Sequence, residues 1–397
     1  MDTADTEIQD LSFAQIEATS PHDRPNILDR ARNWGRRLLL SDYFILIVTV
    51  VVYLIAAQFS TRLARPVNVT NQLLNMWPLF AVAIGQTFVL VVAGIDLAQG
   101  AIMALASVVG AMLMSEALNP DMFDRLPLWG ILIFEEGGLL AGHPLATPIT
   151  VIAMLLVGMM VGYIIGSLIT RFNITPFIAS LVGFIFFGFF ALWLTQSRNI
   201  SGLPESFIQL GDAGEIISVY FGEKVESQIP RREILAIITS STLIALSLAL
   251  LASFLLNRTV FGKHMFAIGT NRRAAEISGV PVRRVITLVY VFSGFCAAAA
   301  SILYTARLEI GRPTLGGLPM LLDIIGSCVI GGSSFFGGKG SIKGTFFGVV
   351  FFVLMTNILN AAQLSPFVID AVKGAVILTA ALLDITRTRL VSREKAT

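Results

Sequence analysis

Four ionisable side chains interrupt otherwise apolar stretches of the chain: Asp96, Asp323, Asp370 and Lys373. Inside a membrane span, such a group costs about 2.5–3.5 kcal/mol on insertion scales unless it faces protein or water, so each is a functional candidate. Asp370 and Lys373 are three residues apart and share a helix face, where they can form an ion pair. The pair either neutralises itself between helices or has a functional role. Asp323 either lines a pathway or hydrogen-bonds to another helix.

The glycine-rich segment GGSSFFGGKGS, from Gly331 to Ser341, superficially resembles a phosphate-binding loop. That motif requires a glycine, four further residues, and then Gly-Lys-Ser or Gly-Lys-Thr. Here Lys339 is followed by Gly340, and the position five before Gly338 is Ser333. The segment therefore does not fit a nucleotide site.

The histidines and cysteines give no catalytic pattern either. His22, His143 and His264 are far apart in the sequence, so they indicate neither a metal site nor a nucleophile–base pair. Cys296 and Cys328 lie in apolar runs, where a free thiol packs as a small hydrophobic group. We therefore predict that the chain is not an enzyme and that it holds no metal and no cofactor of its own. Transport is the function class that this leaves.

The composition is that of a membrane protein. The 397 residues are 55% hydrophobic and 14% charged, whereas roughly 25% of the residues of a soluble domain are charged. Many apolar runs have the length of about 20 residues that spans the hydrocarbon core of a bilayer. We therefore expect a polytopic protein in contact with the lipid bilayer. A net charge of +2 gives no argument for a nucleic-acid partner.

Uncharged runs bounded by charged or turn residues predict an all-α fold of about ten transmembrane helices, because lipid-facing backbone must be paired internally. The predicted spans are 43–60, 72–93, 97–115, 147–170, 174–195, 233–256, 285–305, 318–333, 341–361 and 366–384.

The positions of Lys and Arg predict the orientation, because cytoplasmic loops carry an excess of them. With a cytoplasmic amino terminus, 18 of these residues lie inside and nine lie outside, so we expect both termini in the cytoplasm. The predicted regions are a flexible N-terminal tail at 1–41, a transmembrane domain at 42–386 with an outside loop at about 196–232 and a cytoplasmic loop at about 257–284, and a C-terminal tail at 387–397.

Two glycine-rich corners join consecutive spans, the first at Gly94–Leu97 and the second at Gly331–Ser341. In the first corner, the Asp96 carboxylate can accept hydrogen bonds from free amide groups of the next helix and interact with its positive dipole end. The likeness of the two corners indicates either a duplicated unit or generic glycine turns. The predicted corner residues are Gly94, Asp96, Gly100, Gly331, Gly332, Gly337 and Gly338.

The segment TNRRAAEISGVP, in the positively charged loop 257–284, predicts a short helix. Asn271 can cap the first amide groups, Gly279 can adopt the left-handed conformation that ends a helix, and Pro281 prevents continuation. A helix this short is marginal in water by itself, so we expect it to dock on another surface. It either binds a partner subunit or lies on the membrane with arginines that satisfy the positive-inside rule.

Six segments resemble, in order and spacing, the membrane permease of ribose-type monosaccharide ABC importers. They are GIDLAQG, TPFIASLVG, SRNISGLP, FGKHMFAIGTNRRAAEISGVPVRRV, DIIGSCVIGGSSFFGGKGSIKGTFFG and VIDAVKGAVILTAALLD. The resemblance covers roughly residues 40–390. It implies a multi-pass permease of the cell inner membrane that imports a monosaccharide or related polyol by alternating access.

The resemblance also implies partners: a separate ABC ATPase that binds ATP and Mg, a periplasmic substrate-binding protein, and a second permease copy or a paralogue. The loop 257–284 would then be the coupling loop that seats in a groove of the ATPase, and the outside loop would be periplasmic. The charged side chains of the coupling loop would make polar contacts with the ATPase. Ala274, Ala275 and Ile277 would make packing contacts with it. The predicted coupling-loop residues are Asn271, Arg272, Arg273, Ala274, Ala275, Glu276, Ile277 and Gly279.

The chain departs from the family pattern at several positions, which leaves the identity of the sugar open. Ala98 and Ala101 stand where the family commonly has serines, and Leu321 stands where it commonly has glutamate. For a neutral polyhydroxyl cargo, amides and hydroxyls suit a pathway better than fixed charges, although each alone is more often a helix–helix hydrogen-bonding group. The pathway candidates are Asn75, Gln86, Thr87, Gln99, Asp323, Asn357, Asn360 and Gln363.

Two alternative functions stay open at this point. A permease for branched-chain amino acids needs complements for two ionised groups, which Asp370 and Lys373 could offer. An ion-coupled secondary transporter could use Asp96 or Asp323 as a proton relay.

Overall fold

The computed structural model describes residues 44–116, 126–211, 215–220 and 234–394, and the predicted tail at 1–41 lies outside these residues. Each of the ten predicted spans contains a helix within the described part of the chain. The helices are α1 Phe44–Phe59, α2 Pro66–Val91, α3 Gln99–Met114, α4 Ala146–Arg171, α5 Pro176–Thr195, α6 Glu205–Ile208, α7 Ser240–Arg258, α8 Val260–Thr270, α9 Arg272–Ile277, α10 Val282–Leu308, α11 Leu318–Ile330, α12 Ile342–Ala361 and α13 Pro366–Glu394.

Among the described residues, six helices are long and apolar enough to cross a membrane: α2, α4, α5, α7, α10 and α12. The apolar helices within α1, α3 and α11 are shorter. The structure therefore supports a mostly helical protein with several membrane spans, and the number of ten crossings stays a prediction. The last helix, α13, continues to Glu394, so part of the predicted tail 387–397 is helical.

The described residues are mostly helical, as predicted, and they also contain two short antiparallel strand pairs that the prediction of an all-α fold does not include. Strands β1 (Ile133–Phe134) and β2 (Gly137–Gly138) form an antiparallel pair. Strands β3 (Glu215–Tyr220) and β4 (Ile234–Thr239) form a second antiparallel pair. The sequence of β4, ILAIIT, is rich in β-branched residues, which favour strands. It occupies the beginning of the predicted span 233–256.

The helix α7 begins only after this strand because Thr239 caps it. The Thr239 side chain accepts a hydrogen bond from the Thr242 amide, and the Thr242 side chain accepts one from the Thr239 amide, which forms a capping box. Two of the amide groups that a helix start leaves without partners are thereby satisfied.

Helix α2 is almost completely enclosed by the other described residues. In its most apolar window, 94% of the residues are buried. Phe88 packs against Phe292 of α10 with ring centroids 4.4 Å apart, and Phe80 packs edge-on against Phe346 of α12 at 5.2 Å. Aromatic pairs at these separations add to the area that they bury. Along most of its length, α2 therefore packs against other helices of the same chain.

Small residues bring α4 and α10 into backbone contact. A Cβ added at Gly158 would lie 2.3 Å from the carbonyl oxygen of Gly294, and one added at Gly162 would lie 2.2 Å from that of Tyr290. Small residues four positions apart allow such close helix packing in membranes. This packing fixes Tyr290 and Ser293 of α10 beside the first corner, whose residues they hydrogen-bond.

Candidate functional site

A small polar cavity lies where α2, α10, α11 and α12 meet, and its volume is about 150 Å³. It brings together two of the predicted pathway residues, Asn75 and Asp323, which come from different helices. The remaining lining residues are Gln72, Leu79, Tyr304, Phe352, Val353 and Thr356.

An ion pair lies at one edge of this cavity. Lys373 Nζ lies 2.8 Å from Asp323 Oδ1 and donates a hydrogen bond to Asp323 Oδ2 at 2.9 Å. The Lys373 side chain is 6% exposed, so its charge needs a partner within the protein. The predicted contact with Asp370 is also present, at 3.7 Å, but it is the longer of the two.

A second cation contacts another lining residue of the cavity. Arg307 Nη1 donates a hydrogen bond to Asn75 Oδ1. Arg307 lies two residues beyond the predicted end of the span 285–305, because α10 continues to Leu308. Arg307 lies three residues after Tyr304, which lines the cavity. Residues three apart share a helix face, so this spacing is the sequence signal that places Arg307 on the same side of α10 as Tyr304.

Gln72 and Thr356 are lining residues that the sequence analysis does not single out. Gln72 lies three residues before Asn75 on α2, and that spacing again puts both on one face. The Thr356 hydroxyl is buried and has no hydrogen-bond partner among the described residues. A buried hydroxyl without a partner costs free energy, so this group is available to a bound molecule. Amides, hydroxyls and paired charges suit a ligand rich in hydroxyl groups.

Two other candidates on α2, Gln86 and Thr87, are buried but do not line the cavity. The Gln86 amide nitrogen and oxygen have no hydrogen-bond partners among the described residues. The Thr87 hydroxyl donates to the carbonyl of Ala83 and lies 2.6 Å from the Thr345 hydroxyl. Thr87 therefore connects α2 to α12.

The three candidates near the end of α12 are also separate from the cavity. Asn357 exchanges two hydrogen bonds of 2.9 Å with Asn68, so its amide joins α12 to α2. Asn360 and Gln363 are exposed. Although Asn357 and Asn360 are neighbours on one helix, the structure buries only the first of them.

Gln99, the first residue of α3, is hydrogen-bonded into the network of the first corner. Its Nε2 donates to Ser293 Oγ at 2.8 Å, and the Ser293 hydroxyl in turn donates to Asp96 Oδ2 at 2.7 Å. Asp96 Oδ1 accepts a hydrogen bond from the Ala98 amide at 3.0 Å. The fully buried Asp96 carboxylate thus ties the beginning of α3 to α10. The structure places it in a hydrogen-bond network and not in the cavity.

The glycines of the corners allow close backbone approach. A Cβ added at Gly100 would lie 2.0 Å from the carbonyl oxygen of Gly316, and one added at Gly94 would lie 2.8 Å from the Tyr290 hydroxyl. In the second corner, a Cβ added at Gly331 would lie 2.3 Å from the carbonyl oxygen of Gly344. The left-handed residues of that corner are Gly332, Gly337 and Gly338, with φ of 89°, 83° and 71°.

The short helix predicted after Asn271 is present as α9. Asn271 Oδ1 accepts a hydrogen bond from the Ala274 amide at 3.0 Å, and Gly279 has a left-handed φ of 82°. Arg272 and Glu276 form an exposed ion pair of 3.4 Å with each other.

The apolar residues of α9 face in different directions. Ala275 is 4% exposed and packs within this chain, whereas Ile277 is 80% exposed. Arg273 and Ala274 are exposed as well. Of the three residues predicted to pack on a partner, only Ala274 and Ile277 therefore present an open surface.

The matching family profile covers residues 68–381 and is described as "Branched-chain amino acid transport system / permease component". The chain is 32% identical over 336 residues to the ribose import permease of Bacillus subtilis, a match that covers 84% of this chain and 89% of that protein. No solved structure matches the chain.

Two further relatives have similar coverage. The galactose/methyl galactoside import permease of Haemophilus influenzae is 29% identical over 352 residues, which covers 86% of this chain and 92% of the relative. The xylose transport system permease of Escherichia coli is 27% identical over 393 residues, which covers 88% and 93%. The predicted family is thereby confirmed, and the apolar helices agree with a multi-pass membrane protein. The chain belongs to the family of ABC importer permeases that includes the ribose, galactose/methyl galactoside and xylose permeases.

Proposed function

We propose that this chain is the translocation subunit of an ABC importer that carries a monosaccharide or a related polyol across the cell inner membrane. The observation that carries the proposal is the similarity, over 89–93% of each relative's length, to permeases whose names specify ribose, galactose or xylose. The enzymatic step, ATP hydrolysis with Mg, belongs in this proposal to a separate ATPase subunit.

The polar cavity is the proposed place where cargo enters the permease. Asn75 lies in the first half of α2, Asp323 just before the middle of α11, and Thr356 in the second half of α12. With a cytoplasmic amino terminus and the ten predicted crossings, all three positions would fall in the periplasmic half of the membrane. A binding protein would deliver cargo from that side.

Sugar hydroxyls both donate and accept hydrogen bonds, and the cavity supplies both kinds of partner. The Asp323 carboxylate accepts, and the Thr356 hydroxyl and the Gln72 amide can do either. Because Asp323 and Lys373 already neutralise each other, a neutral cargo leaves this pair intact. Transport also requires release, so a small number of such hydrogen bonds suits a pathway better than a tight site.

The coupling loop is the proposed contact with the ATPase. Helix α9 presents the exposed Ile277 and Arg273 away from the remainder of the chain. A short helix with two exposed apolar side chains, Ala274 and Ile277, and several charges suits a groove on a partner protein. A periplasmic binding protein and a second permease copy or paralogue complete the proposed assembly.

The description of the family keeps a branched-chain amino acid permease as the second candidate. Such a cargo carries an ammonium and a carboxylate, and binding both would require Lys373 and Asp323 to separate. The charge pair therefore favours a neutral cargo, and the names of the relatives favour a sugar.

The test is uptake by proteoliposomes that contain the permease, its ATPase and its binding protein, with ATP supplied on the ATPase side. Labelled ribose, galactose, xylose and leucine are compared, together with a catalytically inactive ATPase as control. We expect ATP-dependent uptake of at least one sugar and none of leucine. Uptake of leucine alone would show that the cargo is an amino acid and not a sugar. Uptake driven by a proton gradient without the ATPase would overturn the proposal of an ABC importer.

A further inference from the structure

Helix α8 connects the coupling helix to the interior of the molecule. It ends at Thr270, and Asn271 alone separates it from α9. Met265 and Ile268 of α8 are buried, at 0% and 3% exposed. Only one residue therefore separates the coupling helix from a helix that is packed into the interior.

The last turn of α8 touches the end of α2 through backbone atoms. A Cβ added at Gly269 would lie 1.9 Å from the carbonyl oxygen of Val91 and 2.4 Å from the amide nitrogen of Gly338. Real Cβ atoms do not approach other atoms this closely, so only glycine fits here. Backbone groups cannot move aside as a flexible side chain can.

The second corner also contacts the end of α2 and the last turn of α8. The Gly338 amide donates a hydrogen bond of 2.9 Å to the Val91 carbonyl oxygen. A Cβ added at Gly337 would lie 2.8 Å from the Gly269 carbonyl oxygen and 2.8 Å from the Ala93 Cβ. Three backbone segments therefore meet at one point, which we name the glycine junction: Gly269, Val91–Ala93 and Gly337–Gly338.

The glycine junction lies at the ends of segments that lead to the polar cavity. Val91 is the last residue of α2, the continuous helix that carries Asn75, and Pro78 lies between these two residues. At a rise of about 1.5 Å per residue, this helix connects the glycine junction with the polar cavity. The second corner follows α11, which carries Asp323. Two of the helices that line the cavity, α2 and α11, therefore end at or shortly before the glycine junction.

From this geometry we infer that Gly269 is a positioning residue that couples the ATPase contact to the cargo route through the glycine junction. The inference rests on the proposed function and adds a mechanical path to it. Gly269 contacts neither cargo nor ATP in this role. It keeps α8 close enough to Val91 and Gly338 for the three segments to move together.

The test is Gly269→Ala in the complete transporter, with Gly374→Ala as control, because a Cβ at Gly374 meets no atom within 4 Å. Four quantities are measured: assembly with the ATPase, basal ATP hydrolysis, its stimulation by the cargo-loaded binding protein, and uptake. We expect stimulation and uptake to fall by about tenfold, with assembly and basal hydrolysis within about twofold, since coupling free energies correspond to roughly 5- to 150-fold changes. The control should match the wild type.

If Gly269→Ala does not assemble with the ATPase, the milder variant Gly340→Ala tests the inference instead. A Cβ at Gly340 would lie 2.7 Å from Val91 Cγ2, which is a side-chain atom that can move. Gly340→Ala should therefore assemble and lose about threefold in stimulation, below the usual range for coupling between sites.

Wild-type stimulation in an assembled Gly269→Ala or Gly340→Ala complex overturns the inference, as does a loss that only follows the amount of complex. If the wild-type transporter itself moves no cargo, the proposed function fails first. The two failures are thus distinguishable.

Discussion

Lys373 Nζ lies 2.8 Å from Asp323 Oδ1 and thereby joins α13 to α11 at the edge of the polar cavity. A second carboxylate, Asp370, lies 3.7 Å from the same ammonium group. The ammonium is almost fully enclosed, whereas the Asp370 side chain is 35% exposed. One lysine therefore neutralises a carboxylate of the cavity and holds two helices together.

The Lys373–Asp323 contact predicts a loss of stability when the lysine is removed. Lys373→Met should destabilise the purified protein by about 3 kcal/mol, because breaking a buried pair leaves an uncompensated charge. The measurement is the thermal unfolding midpoint in detergent.

Asp370→Asn is the matched control, and it should cost less than about 1 kcal/mol because its contact is longer and more exposed. The double variant Asp323→Asn with Lys373→Met should recover most of the loss. Equal midpoints for Lys373→Met and Asp370→Asn would contradict the pairing.

Asp96 gives a second prediction, since its two carboxylate oxygens have different partners. Asp96→Asn keeps an oxygen for the Ala98 amide and should lose about 1 kcal/mol, whereas Asp96→Leu should lose about 1–3 kcal/mol for each polar group left without a partner. Uptake in the complete transporter should follow the same order.

Ser293→Ala distinguishes the effect of the hydrogen-bond network from the effect of the negative charge on Asp96. It removes the hydroxyl that links Asp96 to Gln99 but leaves the carboxylate in place. We expect an intermediate loss. If Asp96→Asn transports as poorly as Asp96→Leu while Ser293→Ala is normal, the negative charge itself is required and the structural role is wrong.

Most helices could be located from the sequence because a helix in a membrane or a buried core needs a long apolar run, which hydropathy detects directly. Strand β4 is as apolar as the helix that follows it, so hydropathy cannot separate Ile234–Thr239 from α7. Its β-branched residues were the only local signal. The capped helix after Asn271 was predictable because capping depends on neighbours in the sequence.

The polar cavity could be predicted only in part, because its lining comes from four helices. Periodicity tells which residues share a face of one helix but not which helices are neighbours. Asp370 and Lys373 are three residues apart, and their contact follows from that spacing. Asp323 and Lys373 are 50 residues apart, and only the packing of α11 on α13 brings them together.

The coupling helix gives a third prediction, which contrasts an exposed and a buried residue. Ile277→Ser should leave the stability of the permease unchanged and weaken its association with the ATPase, by about 1.5–3 kcal/mol if the contact buries the Ile277 side chain fully. Ala275→Leu should instead destabilise the loop, because Ala275 already packs within the chain. Co-purification of the ATPase and the unfolding midpoint separate the two effects. Normal association of Ile277→Ser would remove Ile277 from the contact.

The unpaired hydroxyl of Thr356 gives the most selective test of the cargo route. Thr356→Val removes a buried hydroxyl that has no partner among the described residues, so the variant should be as stable as the wild type or slightly more stable. If cargo hydroxyls bind there, uptake should nevertheless fall by about tenfold, the equivalent of 1.4 kcal/mol.

Thr150→Val is the matched control for this test. The Thr150 hydroxyl is also buried without a partner among the described residues, but it lies on α4 and does not line the cavity. Both variants should therefore show the same small gain in unfolding midpoint, and only Thr356→Val should lose uptake. Equal uptake in the two variants would exclude a cargo contact at Thr356, and equal loss would show that removing any buried hydroxyl disturbs transport.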